Sequence, residues 1–291
     1  MIGRRGKPEP KAVEKTHRGK RLEQRVNALL RAAYIGLEAL PYPDRLLAQR
    51  FNLYAQNEED GLVLALLKEA GIRTRSFVDI GCGDNGGNSG FLAIELGFRG
   101  LMIDADERKV TASRRRFDDE RIAVEEAFVT RENVNQLIAS HGLSGEIDFL
   151  SIDIDGNDVW VLDALDAVSP RVLAVEYNSL FGAERAVTIP YQPRFSRKDV
   201  APVDEVGARY YGASLRGVAV VARRKGYRLV VVEPRGTNAF LLRDDVATHV
   251  PELDPAEGFR LLNKHAEFIE ERFDIYAVAD RHQLELVELE G

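Results

Sequence analysis

Two groups of residues in this chain have the types and spacing that chemistry requires. The first is a glycine-rich segment, Gly81-Cys-Gly-Asp-Asn-Gly86, which follows an apolar, strand-like run over residues 77–80. Glycines let a backbone turn tightly and approach a ligand without interference from a Cβ atom. Asp79, two residues before the first glycine, adds a carboxylate. Because an apolar helical pattern comes next, the segment predicts a site for a nucleotide-like cofactor.

The second group is acidic. Asp153 and Asp155 follow a strand-like run over 147–152, and Glu176 and Asn178 lie at the end of the next one. Neighbouring parallel strands point their carboxyl ends at one crevice, so four oxygen ligands would surround one position. Oxygen ligands without cysteine suit Mg²⁺ or Mn²⁺ far better than zinc. The alternative is a site without metal, in which Asp155 is the general base and Glu176 assists it.

The elements that must position these groups alternate along the chain. Strand signals occur over 77–80, 100–103, 122–125, 147–152 and 172–176, with helical patterns between them. A hairpin pattern over 227–232 and 239–242 follows. Alternation of this kind predicts an α/β, Rossmann-like sheet of seven mostly parallel strands, with helices on both faces and an antiparallel last strand. A helical N-terminal extension precedes it.

The glycine segment alone leaves two cofactors open, because its spacing also satisfies the G-x-G-x-x-G pattern of NAD-dependent oxidoreductases. A carboxylate at Asp79 repels a pyrophosphate but attracts a cation such as the amino group of S-adenosylmethionine (SAM). Asp104, at the end of the next predicted strand, would accept hydrogen bonds from the ribose hydroxyls of either cofactor. The closing hairpin is typical of SAM-dependent enzymes. These features favour SAM, and an NAD-dependent oxidoreductase is the alternative.

The flanking segments have a different composition. Residues 1–21 hold eight Lys/Arg and two Asp/Glu in a chain of net charge −7, and we expect them to form a solvated, disordered tail. We predict a helical cap over 22–70 that includes a helix over about 59–70, a cofactor-binding core over 71–250 with a substrate-side insertion over 181–214, and an appendage over 251–291. That appendage contains a predicted helix over 256–272. Helical segments at both ends are compatible with a homo-oligomer.

Composition excludes several classes of function. Cys82 is the only cysteine, so neither an intrachain disulfide nor a cysteine-rich metal site is available. The acidic body argues against a large nucleic-acid footprint. We find neither an apolar run of membrane-spanning length nor a secretory signal, and therefore expect a cytoplasmic protein that acts on a small molecule.

With these motifs in place, the chain resembles class I SAM-dependent methyltransferases, and most closely the FkbM-like group of O-methyltransferases. The resemblance runs from about residue 51 to 245. In that group the motif on the fourth strand reads approximately Lys-Ile-Asp-Val-Glu-Gly-x-Glu, and Ser151-Ile-Asp-Ile-Asp-Gly-Asn-Asp158 matches it acid for acid. Here aspartates replace two glutamates, and Ser151 replaces the lysine. The segment from Gln56 to Asp60 also resembles one that precedes the SAM loop in relatives, where we expect it to help close the cofactor site.

The resemblance implies that the chain transfers a methyl group from SAM to a hydroxyl of a small polar acceptor, such as a sugar, a nucleotide sugar or a natural-product intermediate. The resemblance is compatible with assistance by a divalent metal. An alternative is a protein of the same fold that has lost catalysis and serves as an interaction module. The implied SAM contacts are Asp79, Gly81, Gly83, Asn85, Asn88, Ser89, Asp104, Ala105, Glu126, Phe128 and Asp153. The implied metal ligands are Asp153, Asp155, Glu176 and Asn178.

Overall fold

The structure, a computed structural model, describes residues 39–200, 209–262 and 273–290. The predicted tail, the first part of the predicted helical cap and the second part of the predicted helix over 256–272 lie outside the described residues. Within the cap, α1 (Asp44–Leu47) is a single turn, and α2 (Glu59–Ala70) has the predicted bounds. Gly71 ends α2 in the left-handed region, with φ of 79°.

Seven strands form the central sheet in the order β3-β2-β1-β4-β5-β8-β7. Their bounds are β1 (Ser76–Ile80), β2 (Arg99–Asp104), β3 (Ile122–Glu126), β4 (Gly145–Ile152), β5 (Val168–Glu176), β7 (Tyr227–Val232) and β8 (Asn238–Arg243). The first five pair in parallel, and β8 pairs antiparallel with both β5 and β7. The predicted sheet and its antiparallel last strand are therefore confirmed.

Alternating side chains of each strand bury two apolar layers, one on each face of the sheet. On one face Val78 and Ile80 pack with apolar residues of the helices that follow β3 and β4 and of the helix that precedes β7. On the other face Phe77 packs with α2 and with the helix after β1. The crossover helices are α3 (Gly90–Ile94), α4 (Glu107–Arg116), α5 (Val134–Ser140), α6 (Asp158–Ala164) and α7 (Leu215–Arg224). Helices on both faces are confirmed.

The strand order fixes where a ligand can bind. Strand β1 pairs with β2 on one side and with β4 on the other. The connections leave β1 in opposite directions, and this switch point opens a crevice at the carboxyl ends of the strands. The glycine segment after β1 lies in that crevice.

The insertion and the C-terminal segment meet in a second, small sheet. Its strands are β6 (Val187–Thr188) and β9 (Val287–Glu288), which pair antiparallel. Buried Phe181, Phe195 and Tyr211 of the insertion pack in one cluster with Ile275, at the start of α9 (Ile275–Arg281). The insertion is therefore held against the C-terminal segment as well as against the core.

The predicted helix over 256–272 is only one turn long in its described part, where α8 spans Pro255–Gly258. Phe259 leaves the helical region, with ψ of 132°. The next residues are held extended, because the Tyr177 hydroxyl accepts from the N–H of Arg260 at 3.2 Å and Ser179 Oγ accepts from the N–H of Leu262 at 3.0 Å. Contacts with the end of β5 therefore override the helical pattern. Among the described helices, none has the length and apolar character to cross a membrane.

Candidate functional site

A cleft of about 1490 Å³ opens at the carboxyl ends of β1, β2, β4 and β5. Both groups of residues that the sequence analysis singled out lie on its wall. The lining residues include Asp79, Gly81, Gly83, Asn85, Asn88, Asp104, Ala105, Phe128, Asp153, Asp155 and Glu176. Three residues predicted for the site, Ser89, Glu126 and Asn178, are not among the lining residues.

The glycine segment crosses the end of β4 at very close range. Gly81 has φ of 92°, and its N–H donates to the carbonyl of Ile103 at 2.8 Å. A Cβ atom at Gly81 would lie 1.7 Å from the carbonyl oxygen of Asp153. A hydrogen bond links the same two segments: the N–H of Asp153 donates to the carbonyl of Ile80, the residue before Gly81, at 2.8 Å. Only glycine fits at position 81, so the loop and the acidic turn hold each other in place.

Asp79 is a buried carboxylate that forms no salt bridge with any described residue. Its side chain lies beneath the loop, 2.8 Å from the position that a Cβ of Gly87 would occupy. Burial raises the pKa of Asp79 to about 7, and nearby Ser89 and Asn88 oppose that shift. Within the described residues Oδ2 has no hydrogen-bond partner. A buried acceptor of this kind calls for a donor from a ligand, and a cationic donor would also favour its ionised form.

Asp104 at the end of β2 holds the other side of the loop. Its Oδ2 accepts from the N–H of Gly83 at 3.0 Å, and its Oδ1 accepts from the N–H of Asp106 at 2.9 Å. The Nζ of Lys109 lies 3.6 Å from Oδ2. Each carboxylate oxygen can accept a further hydrogen bond, so Asp104 can also bind a ribose hydroxyl from the cleft.

The two asparagines of the loop are tied to the protein. Asn85 Nδ2 donates to the carbonyl of Tyr54 at 2.8 Å, and Asn88 Nδ2 donates to Ser151 Oγ at 2.9 Å. Ser151 is the residue that replaces the lysine of the family motif. Asn85 thus joins the loop to the segment before α2, and Asn88 joins it to β4. Ser89 is fully buried behind the loop.

After β3, the structure separates two residues that were predicted to contact the cofactor. Phe128, which is 43% exposed, and Ala127 line the cleft. Glu126, the last residue of β3, is exposed and lies outside the lining residues. The open phenyl ring of Phe128 offers a stacking surface to a ligand in the cleft.

Three carboxylates converge at the ends of β4 and β5. Asp153, Asp155 and Glu176 each offer an oxygen, and these oxygens lie within 4.8 Å of one another. Burial, followed by the charges of neighbouring acids, raises the pKa of Asp153 to about 8 and that of Glu176 well above its usual range. The Oε2 atom of Glu176 has no hydrogen-bond partner among the described residues. We call this set the acidic cluster.

The turn that carries the acidic cluster is held by Asp158 and by an arginine of the insertion. Asp158 accepts from the N–H groups of Ile154 and Gly156 at 2.8 and 2.9 Å. Asp155 occupies the left-handed region with φ of 56°, and its Oδ1 lies 2.9 Å from Nη1 of Arg197. Arg197 also lies over the ring of buried Tyr211, 5.2 Å from its centroid. The turn therefore places Asp155 next to the guanidinium group of Arg197, a residue of the insertion.

Asn178 does not join the acidic cluster in this structure. Its Oδ1 accepts from the N–H of Leu180 at 3.0 Å, at the start of the 3-10 helix Ser179–Phe181. Its Nδ2 donates to the carbonyls of Arg209 and Tyr211 at 2.8 and 2.9 Å. The amide is buried and engaged at both ends, which is the bonding of a residue that shapes a turn.

Sequence reasoning missed a second polar wall of the cleft, formed by Asn57, Glu59, Thr237 and Asn238. Asn238 begins β8 and is the register partner of Glu176. Sequence resemblance had indicated the segment around Asn57, but only the insertion of β8 beside β5 brings Asn238 to the site. Arg197, which was not predicted as a site residue, also lines the cleft.

These geometries fit the groups that the sequence predicts. The unpartnered Asp79 oxygen, the close loop backbone and Asp104 suit the amino and ribose groups of SAM. The all-oxygen donor set of the acidic cluster suits a hard divalent cation. Three carboxylates this close need a cation or shared protons, because their charges otherwise repel.

Comparisons with known proteins give remote similarity only. No protein-family model and no curated protein matches the chain. An O-methyltransferase from Bacillus cereus in complex with SAH is 17% identical and has a TM-score of 0.40, with 75% of this chain and 96% of that one covered. A SAM-dependent methyltransferase from Aquifex aeolicus is 16% identical over 71% and 96% of the two chains, with a TM-score of 0.36. One from Thiobacillus denitrificans, in complex with S-adenosyl-L-homocysteine, is 17% identical over 67% and 73%, also with a TM-score of 0.36. The fold is assigned from the strand order above.

Proposed function

We propose that this chain is a SAM-dependent methyltransferase that methylates a hydroxyl group of a small polar acceptor. One observation carries the proposal: a single cleft holds the glycine loop with Asp79 at one end and the acidic cluster at the other. The loop and the cluster are joined by the contact between Gly81 and Asp153. A methyl donor on the loop would thus lie next to the residues that can activate an acceptor.

The cofactor half of the proposal rests on charge and hydrogen bonding. Asp79 would accept from the amino group of SAM, and the positive charge would lower the raised pKa of this carboxylate. Asp104 would hold the ribose hydroxyls, and Phe128 would cover the adenine. A pyrophosphate would instead meet the Asp79 charge beneath the loop, which disfavours NAD.

The acceptor half rests on the acidic cluster. Bound SAM supplies an electrophilic methyl group, and the protein must align the acceptor oxygen and remove its proton. Asp155 is the proposed base, with Glu176 beside it. The raised pKa of Glu176 makes its ionised form a stronger proton acceptor than an ordinary carboxylate. Arg197 positions Asp155 through an ion pair, with Nη1 lying 2.9 Å from its Oδ1.

A divalent cation is the second part of the proposal. Asp153, Asp155 and Glu176 would hold Mg²⁺ or Mn²⁺, and such an ion would lower the pKa of an acceptor hydroxyl that it binds. Without a metal, the same three carboxyl groups would share protons among themselves, and one of them would take up the proton of the acceptor hydroxyl. Titration with Mg²⁺ and with a chelator separates the two cases.

The finer assignments belong to the same proposal. We assign the chain to the FkbM-like group on its acidic motif, with residues 71–250 as the catalytic core and residues 181–214 as the acceptor-side insertion. We further propose a cytoplasmic enzyme that uses small-molecule acceptors and no nucleic acid, and that forms a homo-oligomer through its terminal segments.

Calorimetric titration of the full chain with SAM, S-adenosylhomocysteine (SAH) and NAD, each with and without Mg²⁺, tests the cofactor. We expect SAM and SAH to bind and NAD not to bind. Binding of NAD without any response to SAM or SAH would overturn the proposal.

Transfer of labelled methyl groups from SAM to a panel of sugars and nucleotide sugars tests the chemistry. We expect Asp155→Asn to abolish transfer and to leave SAH binding unchanged, because Asp155 lies on the acceptor side. The matched control is Asp118→Asn, which alters an exposed aspartate outside the cleft. An Asp155→Asn variant that retains full transfer would contradict the assignment of the base.

A further inference from the structure

We infer that Asn238 binds a second hydroxyl of the acceptor, adjacent to the one that is methylated, so that the acceptor is polyhydroxylated. The inference rests on the proposed function, because it concerns the acceptor side of the same cleft. Asn238 and Glu176 would each accept a hydrogen bond from one of two neighbouring hydroxyls.

The sheet places Asn238 directly beside the acidic cluster. Asn238 is the first residue of β8, Glu176 is the last residue of β5, and the two are antiparallel register partners. Side chains of such partners lie on the same face of a sheet, with Cβ atoms roughly 5 Å apart. Both residues line the cleft.

The amide of Asn238 is oriented by Glu59. Asn238 Nδ2 lies 3.5 Å from Oε1 of Glu59, the long limit of a hydrogen bond. A carboxylate in this position accepts, so the amide nitrogen must face it and the amide oxygen must face away. That oxygen has no hydrogen-bond partner within the described part of the chain, although Asn238 is only 2% exposed.

Glu59 has enough donors without a ligand. Its Oε2 accepts from the N–H of Asn57 at 2.7 Å, and its Oε1 accepts from Asn57 Nδ2 at 3.0 Å. Asn57 Nδ2 lies also 3.3 Å from Thr237 Oγ1, which joins the wall into one network. The network therefore presents to the cleft a neutral amide acceptor rather than a free negative charge.

Two unpartnered acceptors on register-partner residues define the ligand. The oxygens are Oδ1 of Asn238 and Oε2 of Glu176. The amide oxygen needs a donor and the ionised carboxylate accepts one, and hydroxyl groups on adjacent carbons of one molecule present two donors at neighbouring positions. A hydroxyl satisfies the neutral amide oxygen without adding a charge, so hydroxyls are the matching chemistry at Asn238.

The position of β8 separates this wall from the cofactor. Strand β8 is the third strand from β1 on that side of the sheet. With strands about 4.8 Å apart, Asn238 lies roughly 14 Å from the strand that carries the glycine loop. The free amide oxygen is thus at the acceptor end of the cleft.

Saturation-transfer NMR on the full chain, with and without SAH, tests the inference. The probes are myo-inositol and methyl α-D-mannopyranoside, which carry adjacent hydroxyls, and cyclohexanol, which carries one. We expect the unaltered chain to bind the polyols and not cyclohexanol. Asn238→Leu, which keeps the size of the side chain but removes its oxygen, should weaken polyol binding roughly 3- to 10-fold, the contribution of one or two hydrogen bonds.

The control variant is Gln192→Leu, which makes the same type of change at an exposed residue outside the cleft lining. Calorimetry with SAH reports whether Asn238→Leu has kept its fold and cofactor site, and Asn238→Ser provides a milder second variant. Polyol binding equal in Asn238→Leu, Asn238→Ser and the unaltered chain would overturn the inference. Failure of the unaltered chain to bind either polyol would also overturn it, while intact SAH binding would leave the methyltransferase proposal standing.

Discussion

The two ends of the cleft are built from different parts of the polypeptide. The proposed cofactor end is held in shape mainly by backbone: the N–H groups of Gly81 and Gly83, both with positive φ, donate to the carbonyl of Ile103 and the carboxylate of Asp104. The proposed acceptor end is formed by side chains, and its acidic residues come from the ends of β4 and β5 and from α2. Backbone sites are rigid and tolerate little change of residue, whereas side-chain sites can change charge without changing shape. The two ends should therefore respond differently to substitution.

The largest effect should come from Gly81→Ala, at the junction of the two ends. An alanine there would combine the cost of positive φ, about 1–2 kcal/mol, with a Cβ only 1.7 Å from the oxygen of Asp153. We expect a loss of stability on the order of 3 kcal/mol or more and loss of SAH binding, measured by thermal unfolding and calorimetry. Gly142→Ala is the control, because Gly142 has φ of 71° but nothing within 4 Å of its Cβ position. Equal losses in the two variants would mean that the close approach is unimportant.

Asp79→Asn should separate affinity from stability at the cofactor end. The variant keeps the shape of the side chain but replaces a buried carboxyl group, whose pKa is raised to about 7, with a neutral amide. We expect SAH affinity to fall roughly 10- to 100-fold, the range for a lost charge-assisted hydrogen bond. Stability at pH 8 should be unchanged or higher, because the asparagine is neutral. A variant with full SAH affinity would show that Asp79 does not contact the amino group.

The raised pKa values of buried acids at both ends of the cleft predict a pH-dependent stability. A carboxyl group with a pKa above its unfolded value favours the fold below that unfolded value, and the advantage is lost as pH rises through the folded pKa. Thermal midpoints should therefore fall between pH 5 and pH 8, where Asp79 and Asp153, with pKa values of about 7 and 8, ionise. Asp153→Asn should make this fall shallower by a few degrees, since 1 kcal/mol corresponds to roughly 2–4 °C in a chain of this size. Asp153 is partly open to the cleft, so solvent screens part of the effect.

An identical pH slope in Asp153→Asn and in the unaltered chain would contradict this prediction. Adding Mg²⁺ at pH 8 sharpens it, because an ion held by the acidic cluster would raise the midpoint of the unaltered chain and not that of the variant.

The smallest expected effect is that of Arg197→Gln. Arg197 pairs with Asp155, and its charge also lowers the pKa of Glu176. Without it the pKa of Glu176 should rise further, and one unit would reduce the ionised fraction about tenfold near pH 7. Transfer should fall by up to that factor and recover at higher pH, while SAH binding stays unchanged. Arg194→Gln, on the same segment but outside the cleft lining, is the control. A loss that does not recover at higher pH would favour a purely structural role for Arg197.

The difference between the ends also explains what could be predicted from the sequence. The loop from Asp79 to Asn88 is local, so glycine spacing and a preceding apolar run were enough to place it. The mostly parallel, seven-stranded sheet followed from the alternation of elements, and α2 was predicted with its observed bounds. The acids Asp153, Asp155 and Glu176 were found because each lies at or shortly after the end of a strand.

The acceptor wall could not be found in this way. Asn178 and Asn238 are both asparagines at strand ends, and only the three-dimensional register distinguishes them. The amide of Asn178 is consumed by the 3-10 turn, whereas Asn238 lies opposite Glu176. In its described part, the predicted helix over 256–272 is only one turn long, because contacts with Tyr177 and Ser179 hold Arg260 and Leu262 out of a helix. Contacts between residues distant in sequence decided each case.

The insertion of β8 between β5 and β7 has a consequence for how the chain assembles. The hydrogen bonds that join Asn57 to Thr237 and Asn238 to Glu59 close loops of 180 and 179 residues. The glycine loop needs only the neighbouring strands β1, β2 and β4. Since long loops close late in folding, the cofactor end should be complete before the acceptor wall exists. At that stage the chain would carry the glycine loop and the acidic cluster without Thr237 and Asn238, which complete the acceptor wall.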